Sequence, residues 1–156
     1  MAEHDYTARV VWTGNRGDGT STYGGYDRSW SVETAGKPVI YGSNDPLLGG
    51  DPSLHNPEEM LVAALSACHM LWFLHLASDA NITVLSYSDD PLAVGETDEN
   101  GASRFLRATL RPFIVLAEDG DEARADAVHR QIHKVCFIAR SVNFPVEIDA
   151  RYRIGE

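Results

Sequence analysis

Between Met60 and Ala77 the chain reads MLVAALSACHMLWFLHLA, eighteen residues without a formal charge. A run this apolar is either a helix inside a protein core or a bilayer span, and its length stands at the threshold between the two. His69 and His75 fall inside it, acidic rather than basic residues flank it, and the rest of the chain holds no second span. Spanning segments are oriented by Lys and Arg near their ends. The run therefore reads as the central helix of a soluble core. Its start is marked by Asn56-Pro57-Glu58-Glu59. Asparagine suits the N-cap, proline the first helical position, and the two carboxylates the positive end of the helix dipole. The pattern predicts a helix from there to about Asp79, with Asn81 as its exit.

Strands are expected on both sides of this helix. Thr7 to Trp12 reads as a strand, followed by the turn Gly14-Asn15-Arg16-Gly17-Asp18-Gly19. Thr20 to Glu33 suits one or two strands broken near Gly24-Gly25, and residues 34–55 read as a long loop. Beyond the helix, Ile82 to Tyr87 and Pro91 to Glu96 read as extended, and Asp98 to Gly101 as a hairpin turn. Ser103 to Leu116 is the return strand, with Pro112 marking a bulge or an edge. Helical spacing of Val128, Ile132, Val135 and Ile138 predicts a second helix over roughly Glu122 to Arg140. Apolar and charged residues alternate from Val146 to Ile154, as in a strand with one wet face. The expected class is α+β: a mostly antiparallel sheet with two main helices, the first long and buried, in a single domain over residues 1–156.

The net charge of −10 repels phosphate backbones and anionic lipid, so neither nucleic acid nor a membrane is an expected partner. Met1 to Asp5 carries no basic region followed by an apolar one, so no signal peptide is read and the expected location is the cytoplasm. In that reducing setting two widely separated cysteines, Cys68 and Cys136, suggest inert buried thiols, metal ligands or redox chemistry.

Both cysteines fall inside predicted helices. A free cysteine usually just packs, and it becomes a nucleophile when positive charge or hydrogen bonds lower its pKa. The sequence from Asn56 to Cys68, NPEEMLVAALSAC, resembles the first-cysteine helix of the OsmC/Ohr family of osmotically inducible and organic-hydroperoxide-resistance proteins, with Glu58 ten residues before Cys68. The stretch His133 to Ser141, HKVCFIARS, is similar to that family's second-cysteine helix, and the element order agrees from Ala8 to Tyr152. The resemblance implies an OsmC-like fold, an interlocked homodimer, and thiol-dependent reduction of small-molecule hydroperoxides. Cys68 would attack the peroxide and become a sulfenic acid, and Cys136 would condense with it to a disulfide. An external dithiol, such as a lipoyl protein, would reduce that disulfide by exchange, with no cofactor held by the chain itself.

The family pattern also implies an arginine held by Glu58 beside Cys68. A guanidinium stays cationic and offers a fork of donors, so it can stabilise both a thiolate and a departing alkoxide. Two candidates stand: Arg16, in the glycine-rich turn that resembles the Ohr branch, and Arg28, nearer the loop leading to Glu58, the region from which the OsmC branch takes its arginine. Three features depart from many relatives: Phe137 after the second cysteine, His69 after the first, and a longer loop from Ala35 to Leu54.

Two rival readings stand beside the peroxidase. His129, His133 and Cys136 share one face of the second helix and, with Cys68 or His69, would supply four N/S metal ligands, but no CxxC or other zinc signature accompanies them, and no metal is expected. Alternatively Met70-Leu71-Trp72-Phe73 would line an apolar cavity in a non-enzymatic dimeric stress or ligand-binding protein of the same fold.

Overall fold

A computed structural model describes residues 1–155. The chain forms two compact units, Met1–Met60 and Leu61–Glu156.

In the N-terminal unit, β1 (Arg9–Trp12), β2 (Trp30–Glu33) and β3 (Ile40–Gly42) form an antiparallel sheet in that order. The expected strand over Thr20 to Glu33 is realised only at its end. Residues before it close into turns, such as that made by the Gly25 amide on the Thr22 carbonyl. The segment read as one long loop contains β3 and a short 3₁₀ turn, Pro46–Leu48, capped by Asp45, whose Oδ1 accepts from the Leu47 amide at 2.7 Å. β3 is too short to carry a period-two signal. Gly42 pairs with Trp30, and a Cβ at Gly42 would lie 2.0 Å from the Trp30 ring, so only glycine lets the indole cross the backbone there.

The first helix, α1, spans Pro57–Asp79. Its start is a reciprocal capping box: the Glu59 amide donates to Asn56 Oδ1 at 2.8 Å, and the Asn56 amide donates to Glu59 Oε2 at 3.3 Å. The chain leaves the helix through Asn81, which takes the left-handed conformation at φ 55°. Burial of α1 is narrower than its composition suggests. Leu65, His69, Phe73 and Ala77, four residues apart, are buried in the single chain, whereas Leu61, Leu71 and Leu74 are exposed.

The C-terminal unit holds β4 (Val84–Asp89), β5 (Leu92–Thr97), β6 (Ser103–Leu110), β7 (Pro112–Leu116), the second helix α2 (Glu122–Ile132), β8 (Val146–Ile148) and β9 (Arg151–Ile154). They make two three-stranded sheets, β4-β7-β9 and β5-β6-β8. The expected return strand, Ser103 to Leu116, is divided at Arg111. Its first part pairs with β5 and its second with β4, because the Arg111 amide leaves the ladder to donate to Asp89 Oδ1 at 2.7 Å and Pro112 has no amide hydrogen to donate. The last strand divides likewise into β8 and β9, which run parallel to β6 and β7. Phe73, Ile114, Leu116, Val128, Ile132 and Cys136 form the main core, and Cys68 packs against it.

The second helix is shorter than expected. It ends at Ile132 rather than near Arg140, so Cys136 lies in the turns that follow, not within a helix. The Lys134 and Val135 amides donate to the carbonyls three residues back, Gln131 and Ile132, which tightens the last turn and breaks the apolar spacing. Val135 is consequently exposed.

Candidate functional site

Cys68 lies midway along α1 at the edge of its buried stripe and is partly exposed, while Cys136 is fully buried. The fold brings together these two residues, 68 positions apart, with Cys136 Sγ 2.8 Å from Cys68 Sγ and both thiols free. The turns after α2 make this possible. They place Cys136 where the Ala139 amide, three residues on, donates to its sulfur at 3.4 Å. Burial pushes the Cys136 thiol above its ordinary range, and the hydrogen bond to Cys68 pushes the same way, while the Ala139 amide opposes them. The more accessible sulfur is thus Cys68, and Cys136 is held as the neutral thiol beside it.

The residues expected to activate Cys68 lie in the N-terminal unit. Glu58 is exposed in the first turn of α1. Arg28 donates to the Tyr26 and Tyr23 carbonyls, both at 2.8 Å, and its guanidinium lies over both rings, 4.5 Å from the Tyr23 centroid and 4.4 Å from that of Tyr26. Arg16 donates to the Gly24 carbonyl and lies 3.7 Å from Asp27 Oδ1. Each guanidinium is occupied by these groups, and neither forms an ion pair with Glu58 among the described residues.

Beside the cysteines the structure reveals a pair that sequence spacing did not disclose. His69 Nε2 and His129 Nδ1 are 2.8 Å apart, and the two rings stack with centroids at 5.1 Å. His129 also stacks on Phe73 at 4.3 Å. Burial lowers His69 to about 3, with the neighbouring imidazole adding to the effect. Burial lowers His129 to about 4, partly opposed by Asp126. Both rings are therefore neutral near pH 7. His129 faces the core, whereas His133, its neighbour on the face considered for a metal, is exposed. The available signal was that His69 shares the four-residue spacing of Leu65 and Phe73. No group of three or more His, Cys, Asp or Glu side chains among the described residues is arranged to hold a metal ion. Of the aromatic-rich stretch in α1, Phe73 is core and Leu71 is exposed.

Residues 50–151 match the model of the family described as OsmC-like protein. The chain belongs to the OsmC-like family. This OsmC-like protein is 30% identical to a solved OsmC-like protein of unknown function, VCA0330 from Vibrio cholerae, with a TM-score of 0.83 over 97% of this chain and 100% of that one. A solved organic hydroperoxide resistance protein OsmC from Legionella pneumophila shares the fold at a TM-score of 0.69 and 18% identity, covering 97% of this chain and 98% of the other. Among curated sequences, the uncharacterized protein YmaD of Bacillus subtilis is 22% identical across 99% of both chains. The expected α+β, OsmC-like fold is thereby established for this OsmC-like protein.

Proposed function

We propose that this protein is a thiol-dependent peroxidase that reduces organic hydroperoxides through Cys68 and Cys136. The observation that carries this reading is the 2.8 Å approach of two free thiols from distant parts of the chain. Inert core cysteines have no need to meet, and a thiol pair in contact is chemically ready for disulfide exchange. The unequal exposure of the two sulfurs supports a division of roles. Cys68, the accessible one, attacks the terminal peroxide oxygen and becomes the sulfenic acid. Cys136, buried and kept protonated, condenses with it and releases water. An external dithiol then restores both thiols. Membership of a family that includes proteins named for organic hydroperoxide resistance supports the choice of oxidant.

Arg28 or Arg16 supplies the cation for the Cys68 thiolate in this reading, with Glu58 orienting it, and the working unit is a homodimer. The exposed leucines of α1 support the dimer, since a soluble chain seldom leaves such apolar surface to water. The test is non-reducing mass spectrometry after one equivalent of cumene hydroperoxide. The expected product is a Cys68–Cys136 bridge. Equal hydroperoxide consumption by wild type and Cys68→Ser would remove the peroxidase reading.

A further inference from the structure

Once Cys68 and Cys136 are joined, an incoming thiol has two sulfurs to attack, and they are not equivalent. Cys136 belongs to the main core with Phe73, Ile114 and Ile132, and it is 0% exposed. Cys68 packs against that core from α1 and is partly exposed. The residues that close Cys136 come from its own chain, so a second copy set against α1 cannot open it. The Ala139 amide donates to the Cys136 sulfur at 3.4 Å, and the Ile138 amide acts in the same sense.

We infer that external thiols exchange with this pair at Cys68 alone: the incoming sulfur bonds to Cys68, which is thereby the site of mixed-disulfide modification, and Cys136 is the leaving group. This site of exchange presupposes the redox pair read above, though not the oxidant that joins it. Leaving-group strength by itself favours the opposite course. Burial pushes the Cys136 thiol up to about 11, and a thiol of high pKa leaves slowly. Access decides against that course, because a nucleophile must reach a sulfur before its partner can leave, and Cys136 offers no surface to reach. The Ala139 and Ile138 amides offset part of the handicap by donating to the sulfur that gains charge.

The thiolate of an external dithiol attacks Cys68 Sγ. A bond forms between the two sulfurs, the Cys68–Cys136 bond breaks, and its electron pair goes to Cys136, which takes a proton from water. The donor's second thiolate then attacks the donor sulfur of the mixed disulfide. The donor closes to its own disulfide and Cys68 leaves as thiolate. The donor is oxidised by two electrons and the protein disulfide is reduced by two. A monothiol has no second sulfur, so it stops at the mixed disulfide on Cys68 until another molecule follows.

The test uses the full-length wild type and makes the disulfide with diamide, so that it does not depend on any activity toward hydroperoxide. The oxidised protein meets 2-mercaptoethanol briefly, a reagent small enough to give Cys136 its best chance. The reaction is quenched in acid, and the sulfur that has opened is alkylated with N-ethylmaleimide after unfolding. Peptide mapping should find mercaptoethanol on Cys68 and maleimide on Cys136, at least about tenfold over the reverse arrangement. In concentrated urea, where the core no longer closes Cys136, the preference should fall toward parity. Mercaptoethanol on Cys136 in equal or greater amount, none on Cys68, or a preference unchanged in urea would overturn the assignment of Cys68 as the site of exchange and leave the redox pair standing. Failure of diamide to join the two cysteines would overturn the redox pair and this assignment with it.

Discussion

His69 and His129 meet ring to ring in the core of the C-terminal unit, one hydrogen bond of 2.8 Å joining residues 60 positions apart. Burial of this pair makes folding stability depend on pH. In the unfolded chain each histidine takes its proton near pH 6.5, whereas in the folded chain burial delays uptake to about 3 for His69 and about 4 for His129. Below pH 6.5 the unfolded state therefore binds more protons than the folded one. Their contribution to stability is complete above that pH and declines as the pH falls toward 4. Each ring contributes a slope of up to about 1.4 kcal/mol per pH unit. Asp126, which bonds Tyr152 at 2.6 Å, moderates the effect at His129. Urea midpoints measured across this range should fall with acidity in wild type and fall less steeply in His129→Phe.

Cys136→Ser separates the two halves of the proposed cycle. Cys68 should be oxidised once by hydroperoxide and then persist as sulfenic acid or pass to sulfinic acid under excess oxidant, because the neighbouring thiol is gone. Dimedone labelling at Cys68 in this variant, absent from Cys68→Ser, is the expected readout.

Loss of the Asn56 cap should weaken the start of α1. Asn56→Ala removes the acceptor of the 2.8 Å bond from the Glu59 amide at a buried position, for an expected cost of about 1 kcal/mol. Denaturant unfolding would register it as a lower midpoint with an unchanged slope. Restoration by Asn56→Ser would identify the cap as the cause.

Gly42→Ala tests the crossing of Trp30 over β3. A methyl group there would sit 2.0 Å from the indole, so the ring must turn and give up the 2.8 Å hydrogen bond from its Nε1 to the Ser43 carbonyl. A destabilisation of about 1–3 kcal/mol is expected, with a shift in tryptophan emission accompanying it.

Multi-angle light scattering should report twice the chain mass for the wild type. Leu71, 62% exposed in the single chain, lies on the apolar side of α1 that no residue of its own unit buries. Leu71→Glu should shift the population toward monomer if that side is where copies meet.

The long helix was legible to the residue: proline at its first position, asparagine before it and an uncharged run behind it left little choice. The hairpin turn at Asp98 to Gly101 was equally plain, and so was the alternation after Pro145. Other elements were set by partners that no local pattern reveals. The division of the return strand depends on Asp89 capturing the Arg111 amide from another strand. The early end of α2 lies in the Lys134 and Val135 amides turning back to Gln131 and Ile132, and the turns that follow set Cys136 beside Cys68. At the site, the motifs singled out both cysteines, but the second histidine of the buried pair looked like any polar position of an amphipathic helix.

The division at Arg111 has a consequence for how the C-terminal unit assembles. β6 and β7 are consecutive stretches of one run, as are β8 and β9, and each run serves both three-stranded sheets. A slip by one residue between β6 and β8 would carry over into β7 and β9 and turn half-buried Val146, Ile148, Tyr152 and Ile154 toward water together. The two sheets are thus locked to a common alignment, like two zips drawn by one slider, and neither can settle into a wrong pairing without spoiling the other.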